Sequence, residues 1–177
     1  MSANYLRRLS KWLPSSLQRM LISLWPPFWA MGIKLEKCSP DFRQLETSMK
    51  LHWYNVNYVG VHFGGGIYVM ADPFYMLMLI KNLGNEYIVW DKGASIDFKK
   101  PGLGTLRATF IFSEEEIEYI RQQANEHNNY TFDKSVDVVN EQNIVVATIV
   151  KTLYVRRKDK AVHTLKVIAD AKGGKTK

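Results

Sequence analysis

The first part of the chain carries apolar residues at helical spacing. From Tyr5 to Leu24 they recur every third or fourth position, which indicates one or two amphipathic helices. Pro14 is expected to divide them, and Ser15 followed by Gln18 has the form of a capping box. Trp25-Pro26-Pro27 is expected to end the second helix, because proline cannot continue the hydrogen-bond ladder. Packing on the rest of the domain is the favoured placement of these helices, and a membrane surface is the alternative.

The later part of the chain alternates between apolar and polar positions, as half-buried strands do. Ile33–Cys38 and Phe42–Leu51 form a predicted hairpin around the turn Ser39-Pro40-Asp41. Ser113 with Glu116 is a second candidate capping box and predicts a short helix. The other predicted strands are Glu86–Phe98, Leu106–Phe112, Tyr130–Val139 and Ile144–Arg157.

Between these strands, the segment from Ile67 to Leu83 is apolar on all sides and predicts a buried helix that ends at Gly84. Pro73 removes one backbone hydrogen bond, so it is expected near the first turns or at a kink. One long apolar helix with about six antiparallel strands defines an α+β layout, and we expect the sheet to curl around this helix. Residues 1–30 are then a helical extension, 31–160 the main domain and 161–177 a basic tail.

Three consecutive glycines, Gly64–Gly66, precede this helix, and Asp72 is the only charged residue between His62 and Lys81. A carboxylate in apolar surroundings is costly unless it is paired, and perturbed carboxylates are common in active sites. A glycine turn that leads into a helix presents free N–H groups, which suit a carbonyl oxygen that gains negative charge. This segment therefore indicates acyl-transfer or hydrolytic chemistry. The structural alternatives are a capping role for Asp72 and tight packing at the glycines.

Composition narrows the class of protein. With 177 residues, 46% of them hydrophobic, the chain can build a core and is not of the disordered class. Its formal net charge of +7 lies partly at the two ends. Solvated basic ends are the simpler explanation, and a phosphate-bearing ligand is the alternative. Nucleic acid is disfavoured, because the basic residues do not interleave with aromatic residues as they do in a nucleic-acid module.

Cysteine and histidine usage adds two expectations. Cys38 is the only cysteine, so no disulfide forms within the chain, and the histidines show no metal-ligand spacing, so no metal is expected. The segment Phe63–Ile80 is long enough to be considered as a transmembrane helix. The glycine run and Asp72 disfavour it, since an Asp at the bilayer centre costs roughly 2.5–3.5 kcal/mol. We therefore expect a soluble, cytoplasmic protein.

Several residues fall in register with the motif Asn-x-x-Gly-x-x-His-Gly-Gly, which is followed by an Asp. They are Asn57, Gly60, Gly64, Gly65 and Asp72. On these residues the chain resembles the hotdog-fold acyl-CoA thioesterases, and it is most similar to the branch typified by the phenylacetate-pathway thioesterases. The segment from Ala94 to Gly104 also looks like that family's strand after the helix. The resemblance covers about Ile33 to Arg157, and short phrases such as Trp25-Pro-Pro-Phe are similar to an uncharacterised bacterial branch.

The resemblance implies a hotdog fold and an active site shared by the two subunits of an obligatory dimer. The Gly64 N–H would polarise the thioester carbonyl, and Gly65 would assist or permit the turn. Asp72 would act as a general base on water or as a nucleophile, facing the partner's glycine loop. Asn57 would hold water or the loop. Asp91 lies where relatives often carry a Ser or Thr that supports the acid, and its charge would perturb Asp72 if the two are close.

One position departs from the motif. Phe63 occupies the family's His position, and His62 lies one residue earlier. His62 either replaces that group through a local backbone shift or has a structural role. The candidate substrate-binding residues lie beside the glycines or are cations that suit the phosphates of coenzyme A. They are Phe63, Gly66, Lys92, Lys99, Lys100, Arg156 and Arg157.

The function predicted in this way is hydrolysis of acyl-CoA or another acyl thioester. Coenzyme A is expected only as part of the substrate, and no other cofactor is implied. The expected assembly is a homodimer or a dimer of dimers. A non-catalytic hotdog protein that binds an acyl group or coenzyme A is the alternative. A hotdog dehydratase or hydratase ranks third, because those enzymes usually space their catalytic His and acid differently.

Overall fold

The computed structural model describes residues 15–159, which form a six-stranded antiparallel sheet in the order β1-β2-β4-β5-β6-β3. The predicted α+β layout is therefore confirmed. The strands are β1 (Ile33–Cys38), β2 (Gln44–Lys50), β3 (Tyr87–Phe98), β4 (Thr105–Ile111), β5 (Tyr130–Val139) and β6 (Val145–Arg157). The helices are α1 (Ser15–Ser23), α2 (Pro26–Met31), α3 (Gly64–Ala71), α4 (Phe74–Leu83) and α5 (Glu114–Glu126).

The central helix consists of α3 and α4 in succession, and its buried side chains pack on the sheet. Phe74, at the start of α4, is fully buried. Its ring centroid lies 5.5 Å from that of Phe28 and 5.0 Å from that of Phe110 on β4. A long apolar helix against one sheet face was the main prediction from the hydrophobic pattern, and this packing confirms it.

The central helix begins three residues earlier than predicted, at Gly64 rather than Ile67. The Ile67 N–H donates to the carbonyl of Phe63 at 3.1 Å, so the glycines form the first helical turn. The predicted end is confirmed at Gly84, where φ is +89°. A φ in this region favours glycine, because it has no Cβ to clash with the backbone.

The predicted interruption at Pro73 is also confirmed. Pro73 has no N–H to donate to the carbonyl of Val69, and the Asp72 N–H contacts that carbonyl instead at 3.4 Å. The helical ladder resumes where the Leu77 N–H donates to the Pro73 carbonyl at 2.9 Å. Asp72 therefore lies at a break in the helix rather than in its middle.

The N-terminal region differs from its prediction in one respect. Helix α1 ends before Trp25 as expected, but Pro26 then starts a further helix, α2. Proline suits the first helical position, where its missing N–H would have had no acceptor. The predicted helix before Pro14 lies outside the described residues, as do the side chains of the proposed capping box at Ser15. Between residues 15 and 159, no helix is both long and apolar enough to cross a bilayer.

Two strands form the edges of the sheet. In the part of the chain that the structure describes, β1 pairs only with β2, and β3 pairs only with β6, through a register that shifts between Asp91 and Gly93. The predicted capping box at the start of helix α5 is also confirmed. The Ser113 N–H donates to Glu116 Oε2 at 2.9 Å, and the Glu116 N–H donates to Ser113 Oγ at 3.1 Å.

Phe28 on α2 contributes to the same core as the sheet, so its truncation tests whether α2 is part of the domain. We expect Phe28→Ala to lower the free energy of unfolding by about 3–5 kcal/mol, because it leaves a cavity beside Phe74. Urea denaturation followed by circular dichroism measures this change. Trp29→Ala is the matched control, since Trp29 is the next residue and is 70% exposed, and its change is expected within about 0.5 kcal/mol. Equal losses in both variants would show that α2 does not anchor the core.

Candidate active site

A buried lysine joins the helix break to the edge strand. Lys151 on β6 has a side chain that is only 1% exposed. Its ammonium nitrogen lies 2.7 Å from Asp72 Oδ1 and 3.0 Å from Asp91 Oδ2 on β3. The Tyr68 hydroxyl on α3 is 3.3 Å from the same nitrogen. Because all three protons of the ammonium have an oxygen nearby, its burial is compensated.

The charges in this cluster support one another. Burial acts to lower the pKa of Lys151, but hydrogen bonds to Asp72 and Asp91 outweigh it and raise this pKa to about 12. Lys151 is therefore positively charged at neutral pH. For Asp91, burial is the largest effect and raises the pKa of the carboxyl group, while Lys151 opposes that increase. Asp91 Oδ1 is buried and has no hydrogen-bond partner among the described residues.

The expectation that Asp72 lies alone in apolar surroundings is wrong. Its side chain is 44% exposed, and Lys151 neutralises it from the protein side. The sequence left open whether Asp91 lies close to Asp72, and in the structure both carboxylates bind the same ammonium group. The carboxylate of Asp72 is therefore held at one oxygen by Lys151, and its side chain is still open to solvent.

The glycine run presents backbone donors at the start of α3. No acceptor within the helix is available to the N–H groups of its first residues. A Cβ at Gly64 would lie 2.9 Å from the ring of Phe98, and one at Gly65 would lie 2.4 Å from the ring of Phe63. A side chain at either position would therefore require the half-exposed ring of Phe98 or Phe63 to move.

An open cavity of about 580 Å³ lies beside this helix start. It is formed by the loop before α3 and by the chain that follows β3. The residues that line it are Asn57, Val59, Val61, His62, Gly64, Ile67, Phe98, Lys99, Lys100, Pro101 and Gly102. The structure thus brings together Asn57, His62 and Gly64 of the catalytic candidates, whereas Asp72 does not line this cavity.

His62 is buried and faces the turn between β3 and β4. Its backbone N–H donates to the Gly102 carbonyl at 2.9 Å, and its Nε2 lies 3.0 Å from the Gly104 carbonyl. Burial lowers the pKa of His62 below its ordinary value. Because Nε2 must carry the proton to donate to a carbonyl, the neutral ring leaves Nδ1 as an acceptor, and no described group donates to it. In this geometry His62 holds the loop to the turn.

Two asparagines fix the loop before α3. Asn57 Oδ1 accepts from the N–H groups of Val59 and Val61 at 3.0 and 3.2 Å, so the carbonyl of this candidate side chain holds the loop. Asn55 is fully buried, and its amide donates to the carbonyls of Met31 and Lys50 at 2.9 and 2.8 Å. The sequence did not indicate a role for Asn55, because nothing in its spacing distinguishes it from a surface loop residue.

The candidate cations do not form one group. Lys99 and Lys100 line the cavity, and Lys99 also pairs with Asp97. Lys92 lies over the ring of Tyr154 instead, at 5.3 Å from the centroid. Arg156 on β6 pairs in register with Ile88, so it lies about 30 Å along the strands from the end of β3, at about 3.3 Å per residue. A single coenzyme A molecule cannot be bound by all of them in one subunit.

The two remaining candidates lie near the helix start in different surroundings. Phe63 precedes α3, is 48% exposed and covers Gly65 with its ring. Gly66 is buried against the sulfur atoms of Met31 and Met49. Phe63 is therefore accessible to a ligand, whereas Gly66 serves close packing of α3 on the core.

Asp72 and Gly64 are far apart within one subunit. They lie at opposite ends of α3, which places them about 12 Å apart at about 1.5 Å per residue. One thioester carbonyl cannot contact both groups, since reacting atoms must approach to about 3–3.5 Å.

Within residues 15–159, no three His, Cys, Asp or Glu side chains are close enough to hold a metal ion.

Comparisons with solved structures identify the fold class. The protein PA5026 of Pseudomonas aeruginosa, described as a probable thioesterase, matches with a TM-score of 0.72 at 20% identity over 82% of this chain and 97% of that one. Thioesterase HI1161 of Haemophilus influenzae matches with a TM-score of 0.59 at 16% identity, over 82% and 92% of the two chains. The PaaI protein of the E. coli phenylacetic acid degradation operon gives 0.54 at 17% identity, over 81% and 93%. The predicted hotdog fold is confirmed.

This hotdog protein belongs to the family of the domain of unknown function DUF4442, whose model matches residues 14–155. No curated protein matches the sequence. The family name carries no activity, so the chemistry rests on the site itself.

Removal of the Lys151 ammonium tests how strongly the cluster stabilises the fold. We expect Lys151→Met to lower the free energy of unfolding by about 3 kcal/mol, because it leaves Asp91 buried without a counter-charge. Denaturant unfolding at pH 7 measures the change, and Asp91→Asn in the same background is expected to restore part of it. Lys37→Met is the matched control, since Lys37 is 69% exposed in its pair with Glu46 and its loss is expected below about 1 kcal/mol. Similar losses for the two lysines would contradict a stabilising role for the cluster.

Proposed function

We propose that this protein hydrolyses acyl thioesters, with coenzyme A as the expected thiol. The observation that carries the proposal is the pair of reactive elements on one helix. Gly64, whose N–H has no acceptor within the helix, lines a cavity, and a partly exposed carboxylate, Asp72, lies at the other end of α3. The resemblance to thioesterase sequences and the fold shared with proteins described as thioesterases support the same chemistry.

The proposed chemical step divides between these two elements. The Gly64 N–H donates to the thioester carbonyl and stabilises the negative charge that forms on its oxygen. Asp72 accepts a proton from water as the water oxygen bonds to the carbonyl carbon. The C–S bond then breaks, the sulfur takes the proton that Asp72 accepted, and the thiol and the carboxylic acid leave while Asp72 returns to its carboxylate form. Lys151 holds Asp72 in place through Oδ1.

The roughly 12 Å separation within one chain requires the two elements to come from different subunits. Strand β3 offers the surface for such a dimer, because it is 12 residues long and its outer edge has no partner strand among residues 15–159. A free edge of this length readily pairs with a second copy. Asp72 is linked to this strand through Lys151 and Asp91, so pairing along β3 brings Asp72 close to the subunit boundary.

The substrate groove is the cavity beside the helix start. Lys100 and Lys99 carry the positive charge that suits the phosphates of coenzyme A. Phe98 in the lining and Phe63 directly before Gly64, both about half exposed, provide apolar surface for the acyl or pantetheine part. Lys92 and Arg156 are left out of the proposed groove, since they lie elsewhere on the sheet.

Thiol release from a panel of acyl-CoA substrates tests the activity. We expect Asp72→Asn to reduce the rate at least ~100-fold, as loss of a general base does. Its melting temperature is expected to fall slightly, because Lys151 keeps Asp91 as a partner. Asp133→Asn is the control, because Asp133 is an acid on β5 that accepts from Thr152 in an exposed pair. Full activity in Asp72→Asn would remove Asp72 from the mechanism.

Binding of an acyl thioester without hydrolysis is the second candidate function. It is favoured by one observation: His62 is buried, and its ring contacts the Gly104 carbonyl. Calorimetric titration of the wild-type protein with an acyl-CoA separates the two. Tight binding with no thiol release would establish a binding protein.

The dimer is tested by mass and by hydrogen exchange. Light scattering is expected to give twice the chain mass, with slow amide exchange throughout β3. On dilution below the dimer dissociation constant, the amides of β3 that do not pair with β6 are expected to exchange quickly. A monomer that releases thiol at full rate would show that one subunit suffices.

A further inference from the structure

An exposed apolar surface lies at the opposite edge of the sheet from β3. We call it the aromatic face, and it consists of Met20, Leu24, Trp29, Trp53 and Tyr54, each at least 42% exposed. Four of these residues line one shallow groove of about 460 Å³ between α1, α2 and β1. Trp53 continues this surface, since its ring meets that of Tyr54 edge-on at 5.6 Å. Large exposed apolar patches of this kind mark interaction sites.

The charges around the aromatic face are mostly positive. Arg19 and Lys34 line the same groove, and neither takes part in an ion pair among the described residues. Glu36 is the one carboxylate in the lining, and its Oε1 accepts from Ser48 Oγ at 2.5 Å. In the sequence, residues 1–14 carry three cations and no acid: Arg7, Arg8 and Lys11.

We propose that the aromatic face binds the surface of an anionic lipid bilayer. Tryptophan and tyrosine prefer the boundary between headgroups and acyl chains, because each ring combines an apolar body with a polar N–H or O–H. Arg19 and Lys34 are attracted to anionic headgroups at the same time. The combination of exposed aromatic residues, leucine and flanking cations is that of a segment lying on a membrane surface.

A second copy of the chain is a poorer occupant of this face. A two-fold interface would bring the same patch of both subunits together, so the positive charge of Arg19 and Lys34 would come near the same charge on the second subunit. An anionic bilayer removes that repulsion. The face also lies about 24 Å across the sheet from β3, at about 4.8 Å per strand, so a dimer formed along β3 leaves it uncovered. The proposal therefore does not depend on the proposed enzymatic function.

Vesicle co-sedimentation of the full chain tests the proposal. We expect binding to vesicles of mixed phosphatidylcholine and phosphatidylglycerol at least about tenfold tighter than to pure phosphatidylcholine, and weaker at high salt. Trp29→Ser with Trp53→Ser is expected to reduce this binding about tenfold to a hundredfold, because it removes the two most exposed rings of the face. Lys34→Gln is expected to reduce the preference for anionic lipid about fivefold.

Tyr119→Ser is the matched control, since Tyr119 is 54% exposed on α5, outside the aromatic face. Its vesicle binding and that of the wild type are expected to be equal. Equal losses in the control and in the tryptophan variant, or no binding by the wild type, would overturn the proposal. It would also be overturned if the tryptophan variant converted a larger species into a smaller one without lipid, because the face would then join two copies. Thiol release from soluble acyl-CoA is measured in parallel and is expected to be unchanged in these variants.

Discussion

The buried ammonium of Lys151 constrains the centre of this fold. A charge that is almost fully buried requires oxygen partners, and they come from Asp72 at the helix break and Asp91 on the edge strand. The central helix, strand β6 and the edge strand β3 are thereby held in one arrangement. Hydrophobic packing alone would tolerate small shifts between these elements, whereas hydrogen bonds of 2.7–3.0 Å do not.

Much of the fold was predictable, because strands and helices have different apolar periods. Strand β5 has the predicted bounds, Tyr130–Val139, and the capping box at Ser113 starts α5 as expected. The partner of Asp72 was not predictable from local pattern. It lies 79 residues away, and only the sheet register brings it to the helix. One signal existed in the sequence, since Lys151 is the only charged residue between Val145 and Val155.

The candidate site shows the same division between local and distant information. A motif read along the chain found Asn57, His62 and Gly64, and all three line one cavity because a single loop carries them. The composition supplied candidate cations for the phosphates of coenzyme A, but it did not show where these cations lie in the fold. The antiparallel register then places Lys100 at the cavity and Arg156 far along the sheet. Sequence can therefore nominate residue types, whereas strand pairing decides which of them meet.

The break at Pro73 gives the central helix a second starting point. Every α-helix carries a partial positive charge at its first turn, from peptide dipoles that align along the axis. In an unbroken helix Asp72 would lie mid-length, where that charge is weak. Because α4 begins at Phe74, Asp72 instead lies at the end of α3 and just before the start of α4. Pro73 thus places this acid between the partially negative C-terminus of one helix and the partially positive N-terminus of the next.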